Sequence, residues 1–208
     1  MTASETLTVG IVLFPDVEVL DFAGPFEVFS VAARIAGKAI GAATPPFRVV
    51  TIAATASPVA ARHGLKVVAD HDFTTAPPID LLIVPGGVMD QPLGDPATLD
   101  WVRETSARAT LTASVCTGAF VLAEVGLLSG RTATTHWEDV ADLRERFPEV
   151  TVVDDVPFVD EGAIITSAGI SAGIAMSLHV VGRFAGTRLA ELTAKQMQYD
   201  WQAPQQHG

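Results

Sequence analysis

The chain has 208 residues, 49% of them hydrophobic, and a formal net charge of -11. The 13 Lys and Arg residues form no cluster, which argues against nucleic acid and anionic membrane surfaces as partners. The one cysteine cannot form an internal disulfide, and the first fifteen residues contain neither a basic segment nor an apolar run long enough to span a membrane. We therefore expect a single cytoplasmic domain over residues 1–208, with an ordered core at about 7–200 and a tail at 202–208.

The N-terminal segment predicts a buried strand followed by a helix. Residues 7–14 form a nearly continuous apolar run, as in strands covered on both faces of a parallel sheet. Gly24 and Pro25 then precede apolar residues at helical spacing, and proline is favoured at a first helical position. This places Asp21 at the carboxyl end of the first strand, ahead of the helix. Ligands of open parallel sheets bind at that edge.

A loop of small residues is predicted at 37–46 and a second strand at 47–53. A hairpin within 55–72 and a buried strand at 81–84, which runs into Gly86 and Gly87, follow. These glycines expose backbone N–H groups at the same edge of the sheet, although an ordinary turn is the better explanation when they are considered alone. An amphipathic helix is expected at 96–109.

The pattern around Cys116 predicts a strand, a turn and a helix. Residues 111–115 are apolar or β-branched, and helical spacing begins after the cysteine. Cys116 then lies on the turn between this strand and helix, which we call the elbow, where Gly118 lets other backbone approach. The positive end of the helix is expected to favour the thiolate. The alternative is a small buried cysteine that only fills space.

The rest of the chain alternates in the same way. A short strand at 130–135 precedes a capping box from Thr135 to Glu138, which predicts a helix running to Phe147. His136 either faces the edge of the sheet where Cys116 and Asp21 are predicted, or is an ordinary residue of the helix's first turn. Strands at 150–153, 157–159 and 163–167 precede a buried helix at 174–184, which contains His179, and a last helix that reaches Tyr199. The alternation predicts an α/β fold with a mostly parallel sheet.

Taken together, these segments resemble the DJ-1/PfpI superfamily. The motifs are Leu-Asp-x-x-Gly-Pro at 20–25, Ile-Val-Pro-Gly-Gly at 83–87, Ser-Val-Cys-Thr-Gly at 114–118, Ala-Thr-Thr-His-Trp at 133–137 and Thr-Ser-Ala-Gly-Ile-Ser-Ala-Gly at 166–173. Within the superfamily the chain is similar to isocyanide hydratases and to the amidotransferase-like domain of AraC-type regulators. The resemblance implies a flavodoxin-like sandwich with helices on both faces of the sheet, and a homodimer.

The resemblance also implies roles for individual residues. Cys116 would be the nucleophile, Asp21 the facing acid/base, and Thr117 a third catalytic residue. The backbone N–H groups of Gly87 and Thr117 would bind an anion. The remaining substrate- or anion-binding positions are Gly86, Gly118, Ile170 and His136. The implied reaction hydrates a small isocyanide to an N-substituted formamide without a cofactor. A carboxylate beside a thiolate raises both pKa values, so the two must share a proton.

Other activities of the superfamily fit less well or stay open. Peptidase members have a histidine directly after the nucleophile, where this chain has Thr117, and the amidotransferase triad cannot be assembled around His179. Glyoxalase or deglycase chemistry and a ligand or oxidation sensor remain alternatives, since an elbow cysteine can be oxidised. His63 and His71 flank the predicted hairpin and do not share a helix face, so no metal site is predicted.

Overall fold

The structure, a computed structural model, describes residues 6–201, so the predicted tail at 202–208 lies outside the described residues. The strands are β1 (Leu7–Leu13), β2 (Phe47–Ala53), β3 (Val59–Ala60), β4 (Lys66–Val67), β5 (His71–Asp72), β6 (Leu81–Val84), β7 (Leu111–Val115), β8 (Thr132–Ala133), β9 (Thr151–Val152), β10 (Phe158–Asp160) and β11 (Ile164–Ser167). The helices are α1 (Val19–Ile40), α2 (Asp90–Gly94), α3 (Pro96–Ser106), α4 (Gly118–Glu124), α5 (Val140–Arg146), α6 (Ala172–Ala185) and α7 (Thr187–Gln196).

A seven-stranded sheet in the order β10-β11-β7-β6-β1-β2-β5 forms the centre of the molecule. Each neighbouring pair in it is parallel except β10 and β11, within the part of the chain that the structure describes. The chain leaves β1 towards β2 on one side and continues through β6 and β7 on the other. The crevice between the carboxyl ends of β1 and β6 is therefore the topological switch point, where open α/β sheets bind ligands.

The core is apolar and continuous, because the central strands are covered by helices. Every residue of β6 and β7 is buried. Helices α1, α6 and α7 pack against one another, and α2 packs with α3 and α4. The predicted flavodoxin-like α/β fold with a mostly parallel sheet is confirmed.

The first helix begins earlier than the sequence suggests. It starts at Val19, so Pro25 lies inside it and Asp21 lies in its first turn. The prediction that Asp21 precedes the helix is wrong. Proline has no N–H, so within a helix it cannot bond to the carbonyl four residues earlier, which here belongs to Asp21. The packing of α1 compensates for this local defect, since its Phe22, Val28 and Phe29 are buried.

Three other boundaries also bear on the predictions. The segment 55–72 contains the predicted hairpin, formed by β3 and β4. Helix α1 continues to Ile40, into the segment expected to be a loop. The capping box at Thr135 is absent: a 3-10 turn at Trp137–Asp139 precedes the short α5, and neither has a side-chain cap. The Thr135 hydroxyl has a partner elsewhere, described below.

Candidate active site

Cys116 lies between β7 and α4, as the sequence predicts. Its φ of 57° is in the left-handed region, which costs a residue other than glycine about 1–3 kcal/mol. The N–H of Cys116 donates to the carbonyl oxygens of Ser167 (3.1 Å) and Ala168 (3.3 Å), which ties the strained residue to the end of β11. The side chain is buried, with 7% of the residue exposed.

Gly118 is required by close packing of backbone. A Cβ atom at this position would lie 2.2 Å from the carbonyl oxygen of Val84, at the end of β6. The prediction that Gly118 admits other backbone is confirmed. The consequence is that the start of α4 sits directly against the neighbouring strand.

The Asp21 carboxyl group is fully buried at the switch point. Its Oδ2 accepts the N–H of Gly86 at 3.0 Å, and the residue is 0% exposed. Its Oδ1 has no hydrogen-bond partner among the described residues. The Cys116 thiol also acts on this carboxyl group, through a side-chain interaction that favours its charged form. The acid and the cysteine predicted from separate motifs are thus neighbours.

Burial changes the acidity of both groups. It raises the pKa of Asp21 to about 7, and the charge of Glu18 adds to the rise, while the Gly86 N–H and the Cys116 thiol oppose it. Burial and then the charge of Asp21 raise the pKa of the Cys116 thiol to about 12, against the N–H groups of Thr117 and Ile170. The prediction that the elbow favours the thiolate is wrong, because desolvation outweighs the N–H groups of Thr117 and Ile170. At neutral pH the pair retains a proton, as the argument from like charges requires.

The backbone N–H groups of the two glycines after β6 already donate hydrogen bonds within the protein. The N–H of Gly86 donates to Asp21, and the N–H of Gly87 donates to the Thr117 hydroxyl at 2.9 Å. That hydroxyl donates in turn to the carbonyl oxygen of Gly87 at 3.0 Å. Neither glycine therefore offers a free N–H, whereas the Thr117 and Ile170 N–H groups face the cysteine sulfur. Any role of Gly86 and Gly87 in substrate binding stays a prediction.

Gly87 itself is fixed by its backbone. Its φ is 148°, and a Cβ atom would lie 2.4 Å from the carbonyl oxygen of Asp16. The residue forms a β-bridge with Val17, ahead of α1. The loop after β6 and the segment leading to Asp21 are consequently held as one unit.

His136 lies beside the elbow and against the turn before α6. A Cβ atom on Gly169 would meet its ring at 2.0 Å. Its Nδ1 is 3.3 Å from Asp139 Oδ2 and 3.9 Å from Glu138 Oε2. These carboxylates make the position less favourable for an anion than predicted. Burial raises the pKa of Asp139, although the neighbouring His136 lowers it. The role of His136 as a binding residue is untested.

A cavity of about 510 Å³ opens next to this histidine. Its wall includes Thr135, His136, Trp137, Val156, Pro157 and Ile170. Cys116 does not line it. Ile170 lines this cavity, and its N–H faces the cysteine sulfur, so this residue lies between the cavity and the elbow.

One residue of the elbow was not anticipated. The buried Thr135 hydroxyl donates to the carbonyl oxygen of Cys116 at 2.9 Å. The sequence signal at this position, a threonine three residues before Glu138, is typical of a helix cap and pointed to a different partner.

His179 is not part of the site. It lies half-buried on α6, where its Nε2 is 2.6 Å from Asp160 Oδ2, and Arg183 also pairs with Asp160. Among residues 6–201 no group of three or more possible metal ligands comes together. Within that range no helix is both long and apolar enough to cross a membrane.

The fold and the site define a flavodoxin-like α/β protein with a cysteine at a strand-to-helix elbow and a buried carboxylic acid beside it. The chain belongs to the DJ-1/PfpI family, whose sequence profile matches residues 8–183.

Known proteins of two kinds resemble the chain. It is 36% identical over 194 residues to the isonitrile hydratase of Pseudomonas putida, a match that covers 93% of this chain and 78% of that protein. It is 32% identical over 184 residues to the HTH-type transcriptional regulator CdhR of Pseudomonas aeruginosa, covering 88% of this chain and 52% of the regulator. It thus spans about half of that regulator. A crystal structure of a ThiJ/PfpI family protein from Pseudomonas syringae superposes with a TM-score of 0.82 and 27% identity, over 99% of this chain and 80% of that one.

Proposed function

We propose that the protein is a hydro-lyase that hydrates isocyanides to N-substituted formamides, with Cys116 as nucleophile and Asp21 as acid and base. The observation that carries the proposal is the buried Asp21 carboxyl group beside the Cys116 thiol, with its pKa raised by burial to about 7. An acid with such a pKa can both give and accept a proton near neutral pH. The similarity to an isonitrile hydratase supports this choice of reaction.

In the first half of the proposed reaction the Cys116 sulfur bonds to the terminal carbon of the isocyanide. The thiol proton passes to Asp21 and from Asp21 to the same carbon, which gives a thioimidate. A thiol with a raised pKa is protonated in the resting enzyme, so the reaction requires a base close to it. Asp21 is the carboxylate in that position.

In the second half water attacks the thioimidate carbon. Asp21 takes a proton from the water and delivers it to the substrate nitrogen. The carbon–sulfur bond then breaks as the hydroxyl of the intermediate becomes the formamide carbonyl, and the proton of that hydroxyl passes to the sulfur. The N–H groups of Thr117 and Ile170 face the sulfur and stabilise the negative charge that it carries as it leaves.

The direct test is hydration of a simple alkyl isocyanide, followed by NMR through formation of the formamide. The Cys116→Ser variant should lose activity by about a thousandfold or more, because a serine hydroxyl lacks the nucleophilicity of the thiol. Asp100→Asn is the control, since Asp100 is an exposed residue paired with Arg103 and should leave turnover unchanged. Equal rates for the parent and Cys116→Ser would refute the proposal.

Ligand sensing without turnover is the second candidate, and the match to CdhR supports it. A sensor should bind small molecules but hydrate none of a panel of isocyanides. Oxidation sensing is less favoured, because burial raises the pKa of Cys116 to about 12 and the thiolate is the form that is oxidised.

A further inference from the structure

The carbonyl group of Cys116 is held mainly by one side chain. Its oxygen accepts the Thr135 hydroxyl at 2.9 Å, whereas the N–H of Ala119 approaches it only to 3.4 Å. Thr135 is 1% exposed, so the bond is shielded from bulk solvent. Because the φ of Cys116 is in the left-handed region, its backbone conformation is unfavourable for a residue with a side chain and needs contacts that hold it.

The orientation of this carbonyl group also sets the orientation of the N–H group in the same peptide plane. The C=O of Cys116 and the N–H of Thr117 belong to one planar peptide unit and point in opposite directions. That N–H faces the Cys116 sulfur. A rotation that moves the carbonyl oxygen away from Thr135 therefore turns the N–H away from the sulfur.

Thr135 is itself well anchored. The N–H of the preceding Thr134 donates to the Thr166 hydroxyl of β11 at 2.9 Å, and both threonines are buried. β11 also accepts the N–H of Cys116 through the carbonyl oxygen of Ser167. The same strand thus fixes the donor and the residue on which it acts.

We propose that Thr135 is a positioning residue whose hydroxyl holds the Cys116–Thr117 peptide so that the Thr117 N–H stays directed at the Cys116 sulfur. In this role it acts through that peptide, by the bond of its hydroxyl to the Cys116 carbonyl oxygen. Its effect on turnover rests on the proposed hydratase function, but its effect on the reactivity of the thiol does not.

The test compares Thr135→Val, which removes the hydroxyl at constant shape, with Thr135→Ser, which keeps it. Thr193→Val is the matched control, because Thr193 is equally buried and its hydroxyl donates to the carbonyl oxygen of Leu189 at 2.8 Å within α7. Both valine variants lose one buried hydrogen bond, so their melting temperatures should fall by similar amounts. Should Thr135→Val not fold, Thr135→Ala serves the same purpose.

The first readout is the rate at which iodoacetamide alkylates Cys116 as a function of pH. Thr135→Val should react about tenfold more slowly, with its profile moved to higher pH, because the thiolate loses a donor. The charged or titratable groups around the thiol are Asp21, Glu18, Asp139 and His136, and all are unchanged in these variants. Thr135→Ser should return to within about threefold of the parent, and Thr193→Val should match it.

The second readout is isocyanide hydration, where Thr135→Val should lower kcat by about tenfold and change KM little. Parent-like alkylation by Thr135→Val, or alkylation by Thr135→Ser as slow as by Thr135→Val, would overturn the inference. If no variant and no parent protein hydrates isocyanides while the alkylation pattern holds, the inference stands and the hydratase proposal fails.

Discussion

Asp21 and Asp160 have the same side chain but lie in different surroundings. Asp21 lies fully buried at the switch point, with one bonded carboxyl oxygen and one without a partner among the described residues. Asp160 is an exposed residue at the end of β10, where His179, Arg183 and the N–H of Gly162 bond its carboxyl group.

Their pKa values move in opposite directions. Burial raises that of Asp21, whereas at Asp160 the effect of burial is outweighed by His179, Gly162 and Arg183, which lower it. A satisfied carboxylate fastens α6 to the β10–β11 hairpin, and an unsatisfied one remains available for proton transfer. The surroundings, not the residue type, separate a structural from a reactive group.

The largest contrast should appear in turnover. Asp21→Asn should lower isocyanide hydration by about a hundredfold or more, because the amide cannot pass the proton between sulfur and carbon. Asp160→Asn should change the rate by less than about twofold. The comparison fails if both substitutions reduce kcat alike.

The next contrast is the dependence of stability on pH. The pKa of Asp21 is raised from 3.8 to about 7 by folding, so its stabilising contribution is complete below pH 3.8 and is lost as the pH rises through 7. A rise of this size corresponds to about 4 kcal/mol. Asp21→Asn should therefore be more stable than the parent at pH 8 and lose that advantage towards pH 4, as measured by urea unfolding. An advantage that does not change with pH would show that Asp21 is not the titrating group.

Asp160→Asn should have the smallest effect and the opposite sign. A lowered pKa stabilises the folded state above the unfolded value and stops doing so as the pH falls through the folded value. The variant should lose about 1 kcal/mol at pH 7, a modest figure because the cluster is partly exposed. The loss should fade in acid. Greater stability of the variant at pH 7 would mean that the cluster costs more in desolvation than it returns.

Much of this arrangement follows from the order of residues. The apolar runs that form β1, β6 and β7 identify the sheet, and the change of spacing after Cys116 locates the elbow, because both are local patterns. The need for Gly118 was also anticipated from the turn, although the structure shows that the Val84 carbonyl of the neighbouring strand is what requires it.

What escaped prediction depends on contacts between distant segments. Asp21 lies in a helix because tertiary packing overrides the proline that follows it. The N–H of Gly87 is taken by Thr117, and the hydroxyl of Thr135 by Cys116, 19 residues away. The acidity of Cys116 is set by burial, which no local spacing reports.

The central claim is that Asp21 and Cys116 retain a shared proton, because burial raises both pKa values and the charge of Asp21 raises that of the thiol further. It is tested most directly by titrating the Cys116 thiol, through thiolate ultraviolet absorbance, in the parent and in Asp21→Asn. Removal of the neighbouring charge should lower the thiol pKa from about 12 and make the inactive variant easier to alkylate. A thiol pKa that stays the same or rises in Asp21→Asn would contradict the claim.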